Sequence, residues 1–405
     1  VMSWEKVRLG DIAEFSNGIN FGKDDYGKGI KIIGVSNFGD KFSPEYDSLT
    51  EVKEEVVKSN DYLYPGDIVF VRSNGNKELV GRCMLIDNKA DKVTYSGFCI
   101  RARLKDTAKH NPTFWTYHFK NQSFRKAMAG TAVGANIQNL SQGRLADYVT
   151  TVPDYDSQVR IAQWLSVYDN LIENNKKQIK LLEEAAERLY REWFVDLHFP
   201  GYENTEIIDG EPEGWKKQKI SEFGEIITGK TPSTTKEQYY GGNIPFVKIP
   251  DMHNCVYPIV TESTLTTEGA NTQKNKFIPK NGIMVSCIAT VGLVNIAIEP
   301  CQTNQQINSI VLHDEQDLYY TYFTMKRLKA LLEGVGSNGA TMTNVNKTKF
   351  GNLEVLYPSN NLRKDYFDYC KPIFEKIYAL SIGVHKLSQV RDGLLPKLMS
   401  GEIEV

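Results

Sequence analysis

Two stretches of the chain keep an apolar seam at spacings that alternate between four and three residues. The first passes through Ile161, Leu165, Tyr168, Ile172, Asn175, Ile179, Leu182, Ala186, Leu189 and Trp193. The second passes through Tyr366, Cys370, Ile373, Ile377, Leu380, Val384, Leu387, Arg391, Leu394 and Leu398. This is the heptad spacing of helices that pair along one face. One such seam would be an ordinary core-facing stripe, but two matching seams predict that the helices pair with each other. Asp156 to Arg191 alone would span about 54 Å as a helix. Asn175 and Arg391 are polar seam positions suited to fixing register. Pro372 predicts a kink or a late start in the second helix, because proline lacks the N–H a helix interior needs.

Ahead of each seam the pattern is mixed. Short β-rich runs at Ile30 to Val35, Asp67 to Val71 and Phe98 to Arg103 have counterparts at Ile244 to Ile249, Gly282 to Cys287 and Ile307 to Leu312. A helix is predicted at Pro112 to Ala129 and another at Leu318 to Glu333. The parallel extends to the letters. W-E-K-V-R-L-G-D-I-A-E-F-S-N-G (Trp4 to Gly18) returns 211 residues later as W-K-K-Q-K-I-S-E-F-G-E-I-I-T-G (Trp215 to Gly229). G-A-N-I-Q-N-L (Gly134 to Leu140) returns as G-A-T-M-T-N-V (Gly339 to Val345) at an offset of 205. A period near 200 is far longer than the ~20–50 residues of solenoid repeats, so the duplicated unit is a domain plus a helix. The expected fold is α+β. Two similar domains, 1–155 and 200–358 (with its linker), alternate with helical segments at 156–199 and 359–405, related by a pseudo-two-fold internal repeat. Under that symmetry the helices run antiparallel with one domain at each end. Asp196 to Trp215, rich in Pro, Gly and acidic residues, is expected to be a connecting loop.

The loops between strands diverge most. Ser73 to Arg82 (S-N-G-N-K-E-L-V-G-R) has only a rough counterpart in Ile288 to Leu293, and the amide-rich Q-T-N-Q-Q-I-N run (Gln302 to Asn308) has none. A shared frame with different polar loops is what two recognition modules for different ligands require, and drift of unselected loops would look the same.

Composition excludes several classes. A chain of 405 residues, 41% hydrophobic and 24% charged, holds two or three ordinary globular cores. No run of ~18 apolar residues marks a membrane span, and V-M-S-W-E-K is not a signal peptide, so a soluble, cytoplasmic protein is expected. Six scattered cysteines without a C-x-x-C pair suit free thiols. His253 and Cys255 lack the second pair of ligands a metal site needs. Net charge is −2, and residues 1–155 carry 21 Lys+Arg against 19 Asp+Glu. Any DNA binding must therefore use local patches, with a more basic partner adding phosphate contacts.

Catalytic chemistry is not visible. G-V-G-S-N-G (Gly334 to Gly339) follows a helix rather than a strand, so it fails as a dinucleotide loop, and G-A-T replaces the G-K-[ST] of a P-loop. N-P-T-F (Asn111 to Phe114) resembles the N-P-P-[YF] of adenine methyltransferases but lacks the second proline. Asn111 reads instead as the cap of a helix begun by Pro112. No Ser/His/Asp, metal-ligand or nuclease carboxylate cluster stands out, and the chain is read as non-catalytic.

The stretch Ile227 to Val247 (I-T-G-K-T-P-S-T-T-K-E-Q-Y-Y-G-G-N-I-P-F-V) resembles the opening of a target-recognition domain in type I restriction–modification specificity subunits. So do I-A-T-V-G (Ile288 to Gly292), T-N-Q-Q-I-N (Thr303 to Asn308), the G-A-T-M-T-N-V run, the W-x-x-x-x-L-G-D-I opening at Trp4 and L-L-P-K-L-M-S-G-E-I (Leu394 to Ile403). The resemblance covers essentially the whole chain in the family's order. In the first repeat N-G-I-N-F-G (Asn17 to Gly22) stands where the second has its T-P-S signature. The resemblance implies a non-catalytic subunit that binds double-stranded DNA at a split target, one half-site per domain. It implies docking of two methylation subunits and, through them, translocating nuclease (restriction) subunits. No cofactor is expected in this chain; S-adenosylmethionine, ATP and Mg belong to the partners. The helical pair would set the unread gap between half-sites. Direct readout favours Arg, Lys, Asn and Gln at base edges. The candidate DNA contacts are Lys23, Lys28, Arg72, Asn74, Asn76, Lys77 and Gln138 in the first repeat. In the second they are Lys230, Thr234, Lys236, Tyr239, Thr343, Asn344 and Lys347. The rival readings are a two-headed protein-interaction scaffold without DNA readout and an enzyme whose site forms at a partner interface.

Overall fold

Each repeat closes on itself by pairing its first strand with its last. In the computed structural model, which describes residues 3–39, 41–74, 79–87, 92–129, 138–334 and 345–405, Trp4–Arg8 runs antiparallel to Val149–Pro153. Lys216–Lys219 runs antiparallel to Glu354–Tyr357. The chain forms two units, Val1–Ile172 with Leu387–Val405 and Glu173–Lys386.

The sheets correspond strand for strand. In the first unit a four-stranded antiparallel sheet is ordered Ala13–Asn17, Cys99–Leu104, Ile68–Val71, Cys83–Leu85, and a three-stranded sheet Thr50–Val52, Tyr26–Ile33, Val93–Tyr95. In the second the orders are Gly224–Thr228, Ile307–Leu312, Ile283–Ser286, Val294–Ile296 and Ser263–Leu265, Tyr240–Val247, Gln302–Thr303. The central strands Ile68–Val71 and Ile283–Ser286 are buried along their whole length. That burial explains why they read as continuous apolar runs rather than alternations.

The helix expected at Pro112 to Ala129 is two helices, Pro112–Lys120 and Gln122–Ala129. Asn121 breaks it by turning back to accept from the Ser123 N–H at 3.3 Å. Asn111 does cap the first of them, its Oδ1 accepting from the Phe114 N–H at 3.0 Å with Pro112 in the first turn. Phe114, Trp115, Tyr117 and Phe119 from this helix, with Phe124 from the next, fill the core against the sheet. The second repeat likewise divides its helix into Leu318–Lys326 and Leu328–Gly334. Tyr319, Tyr320, Tyr322 and Phe323 of the former are all buried.

Both seams lie on long helices, Tyr155–Phe194 and Asn360–Ser400. Within the first unit Ile161 and Leu165 share a core with Leu398 and Met399, and Arg160 Nε donates to the Val405 carbonyl at 2.9 Å. Arg391 bonds Asp169 there. Within the second unit Ala186, Tyr190 and Phe194 share a core with Tyr366, Cys370, Phe374 and Ile377. The Tyr366 hydroxyl donates to the Ala186 carbonyl at 3.0 Å. In each unit the two helical segments therefore run antiparallel. Ile161, Leu165, Ile172, Ile377 and Leu380 are buried as expected, while Tyr168, Ile179, Leu182, Leu189, Ile373, Val384, Leu387 and Leu394 are half-buried.

Strict heptad spacing is corrected in the second unit. There Ala186, Tyr190 and Phe194, spaced by four, are buried, and Phe374 is buried beside half-buried Ile373. The helix from Tyr155 must cover the repeat's own aromatic helix as well as its helical partner, and two contacts widen an apolar stripe beyond the a and d positions. Pro372 does not delay the second helix, which begins twelve residues earlier at Asn360. The proline is exposed, on the solvent side. Nor is Asp196 to Trp215 simply a loop. Ile207–Ile208 and Glu211–Pro212 form a hairpin around Asp209 and Gly210, both at positive φ (52° and 83°), a D-G turn signal. Phe199 and Trp215 are buried, their rings tilted against each other with centroids 5.1 Å apart.

Candidate nucleic-acid interface

The repeated motif ends on Gly18 and Gly229 for a steric reason. A Cβ at Gly18 would lie 2.2 Å from the Tyr95 carbonyl oxygen, and one at Gly229 2.2 Å from that of Asn304. No larger residue lets the strand end press on the neighbouring backbone. The contact is tied by equivalent bonds, Ile19 N–H to Tyr95 at 2.9 Å and Lys230 N–H to Thr303 at 2.9 Å. Each glycine thereby supports a short turn, Ser96 to Phe98 in one repeat and Asn304 to Gln306 in the other.

The candidate residues of the first repeat fall into three groups. Lys23 and Lys28 are exposed, Lys23 opening the turn Lys23–Asp25 and Lys28 on the strand Tyr26–Ile33. Arg72 is half-buried; its Nη1 donates to the Gly97 carbonyl at 3.2 Å, so it braces the turn rather than projecting from it. Ser73–Asn74 pairs antiparallel with Gln138–Asn139, which brings the backbones of Asn74 and Gln138 side by side, just after Arg72. Asn76 and Lys77 lie outside the described residues.

In the second repeat Lys230, Thr234, Lys236 and Lys347 are exposed. Lys347 opens the short helix Lys347–Gly351, capped by the Asn346 side chain. Tyr239, also a candidate contact, is buried, 8% exposed. Its hydroxyl accepts from Lys236 Nζ at 3.0 Å, which raises the Lys236 pKa, and the ammonium lies 5.1 Å from its ring centroid. Thr343 and Asn344 lie outside the described residues. The amide-rich run is mostly internal scaffolding. Gln302, Thr303, Asn304 and Asn308 are buried. Gln302 Nε2 donates to the Ala270 carbonyl and Asn308 Nδ2 to the Val345 carbonyl. Only Gln305 of the run is exposed.

Among the described residues there is no group of three or more His, Cys, Asp and Glu that could hold a metal ion. All six cysteines are free, and burial pushes the Cys255 thiol up to about 12, so it is not a thiolate near neutrality. Among the described residues no helix is long and apolar enough to cross a membrane.

One exposed residue on each of these turns was not among the sequence candidates. Phe98, 62% exposed, stands at the tip of the first repeat's turn, and Gln305 at that of the second. The signal for Gln305 was its place in the amide-rich run; Phe98 was read only as the first residue of the β-rich run Phe98 to Arg103.

Residues 2–184 and 212–377 match the family described as the type I restriction modification DNA specificity domain. The type I restriction enzyme HindI specificity subunit of Haemophilus influenzae is 29% identical, over 99% of this chain and 99% of its own length. The MjaIX specificity subunit of Methanocaldococcus jannaschii is 25% identical, over 71% of this chain and 68% of its own. The crystal structure of a type I restriction-modification system S subunit from M. genitalium shares the fold. It has a TM-score of 0.60 at 16% identity and covers 98% of this chain and 96% of that one. With two family matches falling on the two halves of a duplicated architecture, the chain belongs to the type I restriction–modification specificity subunits.

Proposed function

We propose that this subunit binds a bipartite double-stranded DNA target with one half-site per repeat, and docks methylation subunits and, through them, restriction subunits. The observation that carries this reading is the strand-for-strand duplication of the sheets combined with different side chains on matching turns. Two copies of one backbone frame with unlike polar tips supply two readers of unlike sequence. The near-neutral charge fits a subunit whose phosphate contacts are supplemented by partners closing on the duplex. The chain contributes no catalytic group in this reading; S-adenosylmethionine, ATP and Mg serve the partner subunits. The long helices, at ~1.5 Å per residue, set the unread gap.

The test is an exchange of residues 1–155 for the first recognition domain of another family member, followed by mapping of methylated sites in cells. One half of the methylated sequence should change and the other remain. A change in both halves refutes the two-module reading. A chain that leaves DNA unshifted even with methylation subunits present is a protein scaffold instead.

A further inference from the structure

The turns Ser96 to Phe98 and Asn304 to Gln306 superimpose in their bonding. In the first, the Cys99 N–H donates to the Ser96 carbonyl, the Phe98 N–H to Ser96 Oγ and the Arg72 N–H to the Phe98 carbonyl. In the second, the Ile307 N–H donates to the Asn304 carbonyl, the Gln306 N–H to Asn304 Oδ1 and the Cys287 N–H to the Gln306 carbonyl. A further pair of bonds joins each turn's neighbourhood to the far end of the repeat, Leu140 N–H to Arg72 at 2.9 Å and Val345 N–H to Cys287 at 2.8 Å. Ser96 therefore corresponds to Asn304, Gly97 to Gln305 and Phe98 to Gln306. The frame is the same, yet the exposed side chain falls one position apart: the first turn presents the aromatic ring of Phe98 after Gly97, and the second presents the primary amide of Gln305 before half-buried Gln306.

Each tip is unexplained by folding. Phe98 has 62% of its surface in water although its backbone is bonded on both sides, so its ring is held out by a rigid turn. Gln305 is oriented rather than loose: Thr231 Oγ1 donates to its Oε1 at 2.7 Å. Its Nε2 has no protein partner among the described residues, so the exposed side chain keeps a free donor. Thr231 belongs to the stretch Ile227 to Val247, next to exposed Lys230. Each tip thus sits beside a strand end fixed by a glycine with no room for a Cβ.

We infer that these two turns are the base-reading tips of the subunit, Phe98 for one half-site and Gln305 for the other, an inference that rests on the two-half-site reading above. The chemistry differs accordingly. A ring without a polar atom reads apolar features, a thymine methyl or the face of a base. An amide whose oxygen is already held reads an acceptor on a base edge with its N–H groups.

The test uses the subunit assembled with its methylation subunits and a library of target sequences randomised one position at a time. Phe98→Ala should abolish discrimination at one position of the first half-site, a loss of about tenfold or more, and leave the second half-site intact. Gln305→Ala should do the same in the second half-site alone. Phe98→Gln, which keeps bulk and solubility, should change the base preferred at the same position rather than flatten binding everywhere. Unaltered preferences in all three variants overturn the assignment while leaving the half-site model standing, as does a uniform loss across all sequences, which marks a backbone contact. If either single substitution relaxes positions in both half-sites, the two-module reading itself fails.

Discussion

Asp169→Ala should loosen the helix packing of the first unit by about 3 kcal/mol. The Asp169 carboxylate is 15% exposed and holds Arg391 Nη1 on Oδ1 at 2.5 Å. Its Oδ2 accepts from the Tyr117 hydroxyl at 2.5 Å. One side chain therefore joins the first long helix to the second and to the aromatic helix of the sheet domain. Its loss strands two groups. Arg391, 20% exposed, keeps only Asp392, which is largely in water. That is roughly half of the ~3–5 kcal/mol cost of breaking a fully buried pair. Tyr117, 2% exposed, loses its carboxylate acceptor and keeps only Ser166 beside its hydroxyl, a loss of about 1 kcal/mol. Arg391→Ala should cost about 2 kcal/mol and the double variant about 3, a coupling near 2, because the singles remove the same bond. A chain of two units need not unfold in one step. Native-state hydrogen exchange of the intact chain is the suitable assay, read on peptides from 1–172 and 387–405. A coupling below about 0.5 kcal/mol would refute the argument that this triad locks the helices in register.

Burial in a nest of Phe114, Trp115, Phe119, Phe124 and Tyr148 brings the His118 imidazole down to about 4 from an ordinary 6.5. Between those values the unfolded chain takes up a proton that the folded chain refuses. Stability present above pH 6.5 is then lost as the pH falls towards 4, by about 3 kcal/mol in all. Melting followed from pH 7 to 4.5 should show this slope, and His118→Leu should flatten it; an unchanged slope removes His118 as the cause. Gly229→Ala places a methyl against the carbonyls of Asn304 and Thr303 at 2.2 and 2.3 Å. Since both are backbone, the turn must move, at about 3 kcal/mol, and discrimination in the second half-site should fall while the first is kept. Equal losses in both half-sites, measured by target-library binding, would show that the glycine does not act through its turn.

Periodicity and local signals carried much of the architecture. The second repeat's strand Ile307–Leu312 has the bounds its pattern suggested, and Asn111 with Pro112 marked a helix start through chemistry that does not depend on tertiary context. The misses share a cause: they turn on which face of a segment the rest of the fold covers. Tyr239 lies in a polar stretch, yet the helix Thr267–Asn271 packs against its turn and it is buried. Gln302 and Asn308 look like a recognition surface because amides serve equally well inside, where they satisfy backbone carbonyls. Asn121 and the Asp209–Gly210 turn were legible in principle, since both follow known turn chemistry.

Those buried amides also explain how the two repeats keep one frame with so few shared letters. Along the parallel strand next to the tip, Thr94 and Tyr95 of the first repeat stand where Gln302 and Thr303 stand in the second. Thr94 Oγ1 donates to the Asp61 carbonyl and the Tyr95 hydroxyl bonds Ser16 Oγ at 2.9 Å. In the other copy Gln302 instead spans to Ala270 and accepts from Gln273 Nε2 at 2.8 Å. Each network is fitted to its own partners, although Gln273 Oε1 and Thr303 Oγ1 are buried without one, so moving a single member from one repeat to the other removes further bonds from buried polar atoms, at about 1–3 kcal/mol each. A whole repeat carries its network with it, and the solvent-facing tips lie outside the buried networks, Gln305 being held only by the part-exposed Thr231 hydroxyl. The residues between those scales are locked. If the repeats read DNA as proposed, variation in what they read is expected to follow two routes, replacement of an entire repeat or substitution at the exposed end of a turn.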